Sequence, residues 1–307
     1  MKLIHAANDL GNGGQKVCLA IGVFDGVHLG HQQIIRQTVA DAHQHEAIPV
    51  VVTFDRHPNA VVAPDRVPPR IYSASQKLRA IAELGVAVVL EIPFDQAFSE
   101  KSGATFVREL ARGFGKIHSV CVGADFVFGH RRTGNVGLLE TLGQELHFQV
   151  HGLAAVSLDG QAVSSTRIRD RIRAGNLDAA SQMLGRPHAI CGRVMEGDRI
   201  GRQMGFPTAN LEVAGLVLPP NGVYAAVTRL RDQFFRAALN IGFRPTVAAA
   251  TPRLQVEAHV LDFSGELYNE ELELQIGAKL RSEKRFASVT ELRSQIGRDV
   301  AAIREME

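Results

Sequence analysis

The fold of this chain is decided by one early stretch, Ala20-Ile21-Gly22-Val23-Phe24-Asp25-Gly26-Val27-His28-Leu29-Gly30-His31. An apolar run leads directly into glycines and then into two histidines. Glycine has no Cβ, so it allows a sharp turn and a close approach of the backbone to a ligand. The pattern predicts a strand, a phosphate-holding turn and a helix with both imidazoles on its first turn, where backbone N–H groups favour an anion.

This histidine-bearing turn has three interpretations. Two imidazoles aimed at one point can donate hydrogen bonds to a phosphate whose charge is shifting, as nucleotidyl transfer requires. A His-x-x-His pair can also bind a metal, although no cysteine lies nearby and Asp25 stands where a tight turn uses a carboxylate. The third interpretation is an ordinary strand-turn-helix. The spacing does not match the dinucleotide fingerprint, and the sequence contains no G-x-x-x-x-G-K-[ST] loop.

The composition is that of an ordinary globular protein. A chain of 307 residues with 45% hydrophobic residues is long enough for two domains. Its 34 basic and 32 acidic residues give a net charge of +2, which indicates no nucleic-acid partner and no membrane surface. Cys18, Cys121 and Cys191 have no CxxC spacing and are expected to be buried thiols of a reducing compartment. The absence of a long apolar run makes the cytoplasm the expected location. The sequence is compatible with a homo-oligomer.

The first half of the sequence alternates short β-rich runs with longer amphipathic runs. This alternation predicts a Rossmann-like α/β/α domain, with a parallel sheet covered by helices. The predicted strands are Val17–Val23, Ile48–Phe54, Val86–Ile92, Ser119–Val122 and His147–Val150. The predicted helices are Ser75–Leu84, Thr105–Ala111 and Leu138–Gly143. The histidine-bearing turn then lies at the carboxyl end of a strand, where ligands bind in such sheets.

After Gly185 the pattern changes to short strands separated by turn residues, which predicts a small antiparallel β-barrel. The predicted strands are Ala189–Val194, Gly222–Leu230, Phe234–Ile241, Gln255–Asp262 and Glu271–Leu280. A terminal helix is expected over Ser288–Glu305, with Ser288 as its N-cap. The helical spacing of Ser164–Leu184 leaves only a short linker. We therefore expect domains at 1–184 and 185–307.

Further candidates lie in the first half. Ser and Thr hydroxyls in Ser164-Ser165-Thr166-Arg167 can cap a helix or bind phosphate oxygens, and Arg167 adds a cation for a triphosphate. An ordinary capped helix is the alternative. The segments 51–58 and 122–129 also lie at carboxyl ends of strands, but both can be simple strand exits. Phe126 and Phe128 are weak candidates there, since aromatic residues at such exits more often belong to the core.

The second half has a glycine-rich segment of its own. Gly197, Gly201 and Gly205 recur every four residues and can form a flap over phosphates. Thr208 and Asn210 follow on one face of an extended segment and can present oxygens to Mg²⁺. A glycine-rich barrel corner is the alternative.

Glu257 lies on a predicted strand of the second half. A carboxylate pointing into a small barrel can act as general base for a hydroxyl that attacks phosphate. Strand alternation places Glu257 and His259 on one face, and Val256 and Ala258 on the other. Glu257 can reach a ligand only if its face lines the site, and a solvated strand residue is the alternative.

Four motifs occur in chain order at 22–31, Ser164-Ser165-Thr166-Arg167, Gly205-Phe206-Pro207-Thr208-Ala209-Asn210 and Asn240-Ile241-Gly242-Phe243-Arg244-Pro245-Thr246. Together they resemble the motifs of the family of bacterial bifunctional riboflavin kinase/FAD synthetases. The resemblance covers nearly the whole chain. It implies an N-terminal domain that adenylylates FMN to FAD and a C-terminal barrel that phosphorylates riboflavin to FMN. Both steps would use ATP and Mg²⁺.

The resemblance also implies roles for single residues. His28 and His31 would stabilise the α-phosphate of ATP, and the catalytic Arg167 would hold the nucleotide phosphates. The barrel would bind Mg²⁺ through Thr208 and Asn210. Glu257 would activate the ribityl 5′-hydroxyl, and Asp125 and Arg281 would contact flavin. Nucleotide contacts are expected from Gly22, Phe24, Asp25, Gly26, Ser164, Ser165, Thr166, Gly197, Gly201 and Gly205.

The sequence departs from the family pattern at three places in its first half. Arg56 stands where the family usually has Pro, Val127 where it commonly has Arg, and 73–77 lacks the usual arginine. These departures bear on flavin affinity at the adenylylation site. They motivate an alternative, a riboflavin kinase whose N-terminal domain is regulatory and not catalytic. A flavin-binding storage protein without turnover is a third hypothesis.

Overall fold

Six parallel strands form the sheet of the first half. The structure is a computed structural model that describes residues 1–11, 13–197, 200–244 and 253–306. The strands are β1 (Lys2–Ile4), β2 (Val17–Ile21), β3 (Ile48–Phe54), β4 (Val88–Ile92), β5 (Ile117–Gly123) and β6 (Gln149–Leu153). Their spatial order is β1-β4-β3-β2-β5-β6. Apolar runs such as β2, buried at every residue, suit a sheet covered on both faces.

Helices follow the strands of this sheet. They are α1 (Leu29–Gln44), α2 (Asn59–Val62), α3 (Ala74–Ala82), α4 (Gln96–Ser99), α5 (Gly103–Phe114), α6 (Val136–Leu146), α7 (Ser165–Arg173) and α8 (Leu177–Leu184). A short hairpin of β7 (Ser157–Leu158) and β8 (Gln161–Ala162) precedes α7. Strands β2 and β5 are neighbours, yet the chain leaves them in opposite directions, towards β3 and towards β6. The reversal creates a crevice beyond their carboxyl ends, where α/β sheets bind ligands.

The second half is a closed barrel of six antiparallel strands. They are β9 (Ala189–Met195), β10 (Ala209–Glu212), β11 (Gly222–Leu230), β12 (Gln233–Arg244), β13 (Arg253–Val260) and β14 (Glu271–Arg281), in the spatial order β10-β13-β12-β11-β14-β9. A short helix α9 (Ile200–Gln203) links β9 to β10, and α10 (Val289–Glu305) ends the fold. Ser288 caps α10 by accepting a hydrogen bond from the Glu291 N–H at 3.1 Å, as predicted.

Two compact units result. Unit 1 comprises Met1–Pro69 and Ala74–Ser165, and unit 2 comprises Arg70–Ser73 and Thr166–Glu307. The short early segment joins unit 2 through backbone hydrogen bonds, because the Arg70 N–H donates to the Gly215 carbonyl at 2.7 Å. No helix among the described residues is both long and apolar enough to cross a membrane.

The predicted fold class is confirmed, and several predicted bounds need correction. Strand β2 ends at Ile21 instead of Val23, because the backbone turns at Gly22. His147 is not a strand residue. It ends α6 in the left-handed conformation, with φ at 63°, and β6 begins two residues later. The three cysteines are free and buried, as expected.

One buried histidine of unit 2 makes the stability of the unit depend on pH. His188 is 0% exposed, and neither ring nitrogen has a hydrogen-bond partner in the described part of the chain. Burial lowers the pKa of His188 from 6.5 to about 4. Between these values the unfolded chain takes up a proton that the folded chain excludes. Folding therefore loses stability as the pH falls through this range.

We expect His188→Leu to remove this acid sensitivity. Between pH 7.5 and pH 5, wild-type unit 2 should lose about 2 kcal/mol more unfolding free energy than the variant. Leucine fills a similar volume and has no proton to gain. Calorimetric unfolding of both proteins across this range measures the difference. A stability difference that stays constant with pH would contradict the prediction.

Candidate active sites in the two units

The histidine-bearing turn of unit 1 is held from two sides. The Thr53 hydroxyl, on β3, donates to the Val23 carbonyl at 3.1 Å. The Ser165 hydroxyl donates to the Asp25 carbonyl at 3.0 Å, which joins two of the motifs found in the sequence. Hydrogen bonds from separate elements fix a backbone before a ligand arrives, and such preorganisation favours catalysis.

The turn itself contains strained backbone. Phe24 and Val27 have positive φ angles of 55° and 40°, which is rare for residues with a side chain. Phe24 is 1% exposed, and its ring meets the His31 ring edge-on at 5.2 Å between centroids. A Cβ on Gly22 would lie 3.0 Å from the Phe24 ring. Gly22 therefore makes room for the aromatic ring that packs against His31.

The two histidines lie together, and one position differs from the prediction. Helix α1 begins at Leu29, so His28 is its N-cap and only His31 lies in the first turn. The His28 Nδ1 accepts a hydrogen bond from the His31 N–H at 3.4 Å, and the rings stack with centroids 3.6 Å apart. Because the His28 Nδ1 accepts, its Nε2 carries the proton of the neutral ring.

The charge of His31 is set by burial. Burial, and then the neighbouring His28, lower the pKa of His31 well below its usual 6.5. The Nδ1 of His31 is buried and has no hydrogen-bond partner in the described residues. His31 is therefore neutral at physiological pH, and a neutral imidazole can donate one hydrogen bond to a phosphate oxygen. Among the described residues there is no group of three or more His, Cys, Asp or Glu that could hold a metal, so the metal interpretation gains no support.

The other predicted residues of the first half lie in different places. Ser165 is in unit 1 beside the turn, whereas Thr166 and Arg167 fall in unit 2, so their nucleotide contacts stay a prediction. Asp125 follows β5 and is exposed, at the same edge of the sheet as the turn after β2. The rings of Phe126 and Phe128 stack at 5.2 Å and pack against the core, as expected for a strand exit.

Two departures from the family pattern lie on the surface of unit 1. The Arg56 guanidinium pairs with Asp55 at 2.8 Å, and its side chain is 58% exposed. Burial acts to raise the pKa of Asp55, but hydrogen bonds from Arg56 and from the Phe94 N–H outweigh it and lower that pKa. Val127 is 40% exposed. Neither residue disturbs the core, so any effect on flavin binding would be local.

Unit 2 presents a row of side chains across five adjacent strands. In register from β10 to β14 the row is Asn210, Glu257, Asn240, Val223 and Arg281. All five line one cavity of about 660 Å³. Neighbours in register across a sheet lie side by side on one face, so the two amides flank the carboxylate.

The row faces outwards from the barrel, which corrects the expectation for Glu257. Val256 and Ala258 fill the interior, with 2% and 1% exposure. Glu257 lies between them in sequence and therefore points to the opposite face. The carboxylate does not point into the barrel. It faces a cavity between the barrel wall and α10, whose Leu292 and Ile296 also line it.

The predicted flap contains the short helix α9 and two glycines packed against predicted metal ligands. The Asn210 amide occupies the place that a Cβ on Gly197 would need. A Cβ on Gly201 would collide with the Phe206 carbonyl and lie 3.1 Å from the Thr208 hydroxyl. Gly205 has a φ of 88°, which favours glycine. Asp198 and Arg199 lie outside the described residues.

The oxygen atoms of this cavity suit Mg²⁺. Thr208, Asn210 and Glu257 offer hydroxyl, amide and carboxylate oxygens, the hard ligands that this ion prefers. Mg²⁺ is usually held by one or two protein oxygens together with phosphates and water, so it does not need a cluster of acidic residues. The residues present therefore fit the predicted cation.

The far wall of the cavity depends on a residue that the sequence did not single out. Asp299, on α10, is 6% exposed and accepts hydrogen bonds from Arg281 at 2.8 and 3.0 Å. The Arg281 guanidinium also lies over the Phe286 ring, 5.7 Å from its centroid. Arg281 is thus fixed to the terminal helix. The sequence predicts no role for Asn240, although an amide between the apolar Leu239 and Ile241 is the signal that marks it.

Both sites are suited to holding phosphate, so the class of this protein is a two-unit enzyme that transfers phosphate-containing groups. The family model for FAD synthetase matches residues 12–167, and the model for riboflavin kinase matches residues 184–307. The chain belongs to the family of bifunctional riboflavin kinase/FMN adenylyltransferases. Both domains of that family are present, which supports the bifunctional reading over a kinase with a regulatory domain.

Similar proteins extend over the whole chain. The bifunctional riboflavin kinase/FMN adenylyltransferase of Escherichia coli strain K12 is 38% identical over 99% of this chain and 97% of its own. That of Pseudomonas fluorescens is 38% identical over 100% and 98%. A crystal structure described as a macrolide-efflux protein from Streptococcus pneumoniae is 26% identical, with a TM-score of 0.82 over 99% of both chains. That match supports the architecture, and its description concerns the other protein.

We expect Gly22→Ala to impair adenylyl transfer. The added Cβ would press on the Phe24 ring, which is too buried to move away and would shift His31. A misplacement of this kind can cost about 100-fold in rate. FAD formation from FMN and ATP measures the effect.

The matched control is Gly137→Ala on α6, where a Cβ would meet only Asn135 Oδ1 at an ordinary 3.5 Å. The control should keep the wild-type rate. Equal rates in both variants would show that the Phe24 ring does not position His31.

Proposed function

We propose that the histidine-bearing turn of unit 1 adenylylates FMN and that the cavity of unit 2 phosphorylates riboflavin, each with ATP and Mg²⁺. The observation that carries the proposal is the row Asn210-Glu257-Asn240, which brings a carboxylate between two amides on the wall of one cavity. The turn of unit 1 offers a different chemistry, with two stacked imidazoles, of which the buried His31 is neutral. Two distinct chemistries support two activities.

In the cavity, Glu257 accepts the proton of the ribityl 5′-hydroxyl as its oxygen attacks the γ-phosphorus of ATP. The P–O bond to ADP breaks as the new bond forms. Thr208 and Asn210 would hold Mg²⁺, which neutralises charge on the phosphate oxygens when bound. The glycines of the flap allow the backbone to approach the phosphates closely. Catalysis here consists of positioning and charge stabilisation.

In unit 1, a phosphate oxygen of FMN attacks the α-phosphorus of ATP, and pyrophosphate leaves. Each imidazole donates one hydrogen bond as charge builds on the α-phosphate, and the His28 donor is Nε2–H. The N-terminus of α1 adds its dipole to the same anion. Neither histidine forms a covalent bond to the nucleotide in this scheme.

We propose functional domains of 1–184 and 185–307, with the flavin contacted by Asp125 in the first and by Arg281 in the second. Support for the boundary comes from the riboflavin kinase match, which begins at residue 184. The three free, buried cysteines support a reducing compartment, for which we propose the cytoplasm.

Two variants should separate the activities. Glu257→Gln keeps the shape of the side chain and removes the base, so riboflavin phosphorylation should fall by about 100-fold or more, the range of general base catalysis. His28→Ala should abolish FAD formation from FMN and leave phosphorylation unchanged.

Chromatographic product analysis, with riboflavin and FMN supplied as separate substrates, measures both steps. Each variant is the folding control of the other. Release of no pyrophosphate from FMN and ATP by the wild type would favour the regulatory alternative for unit 1. Normal phosphorylation by Glu257→Gln would refute the role of the barrel cavity.

A further inference from the structure

A histidine of unit 2 that has no part in the proposed chemistry holds the segment before β10. The His259 Nδ1 lies 2.8 Å from the Pro207 carbonyl oxygen. A carbonyl oxygen only accepts, so Nδ1 carries the hydrogen of this bond. The Phe206 ring also meets the His259 ring edge-on, with centroids 5.6 Å apart. His259 thus contacts two successive residues of the segment.

The hydrogen bond replaces backbone pairing at the point where pairing stops. Strand β10 begins at Ala209, which pairs with Ala258 on β13. Pro207 has no N–H and cannot continue a ladder. Its carbonyl accepts instead from a side chain of β13, on the face that carries Glu257.

Thr208 lies between these two attachments. The bond to His259 holds the residue before it, and the pair with Ala258 holds the residue after it. Its side chain is also confined by the flap, since a Cβ on Gly201 would lie 3.1 Å from the Thr208 hydroxyl. The position of the Thr208 oxygen relative to Glu257 therefore depends on His259.

We propose that His259 is a positioning residue, which holds Thr208 where its hydroxyl can bind the cation beside Asn210. The inference rests on the proposed function of this cavity. Residues that orient metal ligands typically contribute about 10- to 100-fold to metal affinity or activity. Loss of the His259 donor should therefore weaken cation binding and phosphorylation by a factor in that range.

A positioning role and a proton-transfer role respond differently to asparagine. Asparagine can place an N–H near the position of the histidine Nδ1 and so keep the hydrogen bond to Pro207, but it cannot exchange a proton with the substrate. A positioning role therefore predicts that His259→Asn keeps phosphorylation.

The experiment compares two variants in the full-length protein. His259→Asn keeps a donor for Pro207, and His259→Leu removes it at similar volume. Binding of Mn²⁺ in the presence of ADP is followed by the electron paramagnetic resonance of free Mn²⁺. Unit 1 is also proposed to bind a metal-nucleotide complex, so part of the bound Mn²⁺ belongs to unit 1. The Mn²⁺ binding that Asn210→Ala loses defines the part that belongs to the barrel. FAD formation from FMN is the internal control for folding.

We expect His259→Leu to lose the same Mn²⁺ share as Asn210→Ala, with phosphorylation lowered about 10- to 100-fold and FAD formation unchanged. His259→Asn should restore both Mn²⁺ binding and phosphorylation. The inference is overturned if His259→Leu binds Mn²⁺ like the wild type, or if His259→Asn fails to restore binding. It is also overturned if His259→Asn binds Mn²⁺ normally but loses phosphorylation, since that outcome indicates proton transfer.

Two benchmark variants, Asn210→Ala and Glu257→Gln, test the proposed function of the cavity separately from the role of His259. Unchanged Mn²⁺ binding in Asn210→Ala, together with normal phosphorylation by Glu257→Gln, would refute the proposed function of the cavity. If both benchmarks lose their function while His259→Leu does not, only the role of His259 fails.

Discussion

The strand register of the closed barrel is the constraint on which the site of unit 2 depends. Side chains alternate along a strand, so a slip of one residue would exchange the two faces. Here the interior takes Leu239, Val256 and Ala258, all nearly inaccessible to solvent, and the outer face receives Asn210 and Glu257. Closure leaves no free edge along which strands could slide. The energy of burying apolar side chains inside the barrel therefore also positions the polar side chains outside it.

In unit 1 a buried parallel sheet positions the polar groups of the proposed site. Its central strand β2 is buried at every residue, and the proposed site lies where this strand ends. The reversal of strand order beside β2 opens a crevice at one such end, and the turn there is fixed by hydrogen bonds from Thr53 and Ser165. The positive φ of Phe24 costs conformational free energy, and the surrounding hydrogen bonds and packing hold the residue in this conformation. The strain places an aromatic ring against His31, where it helps to bury the imidazole and keep it neutral.

The sequence predicted those features of the fold that depend on local residue patterns. Long periodic runs gave the bounds of β3 and β11, and the cap at Ser288 followed from its residue type. The strand β1 was missed, because three residues have no periodicity and only pairing with β4 makes them a strand. For the site, alternation predicted that Glu257 and His259 share a face. It could not tell that this face lines a cavity, because the cavity depends on where the terminal helix packs.

Hydrogen bonds between residues far apart in the chain could not be predicted either, and these bonds matter most for the proposed mechanism. The contact of His259 with Pro207 spans 52 residues, and that of Ser165 with Asp25 spans 140. Neither pair has a sequence spacing that suggests it, yet each ties a segment that we propose to bind phosphate to a strand or a helix. In both units the proposed reactive groups lie on or beside backbone that is rich in glycine or interrupted by proline. A segment that is held at one carbonyl keeps its other backbone N–H groups available to phosphate, and the same hydrogen bond fixes the position of its side chains. In a continuous strand the neighbouring strands pair with those backbone groups.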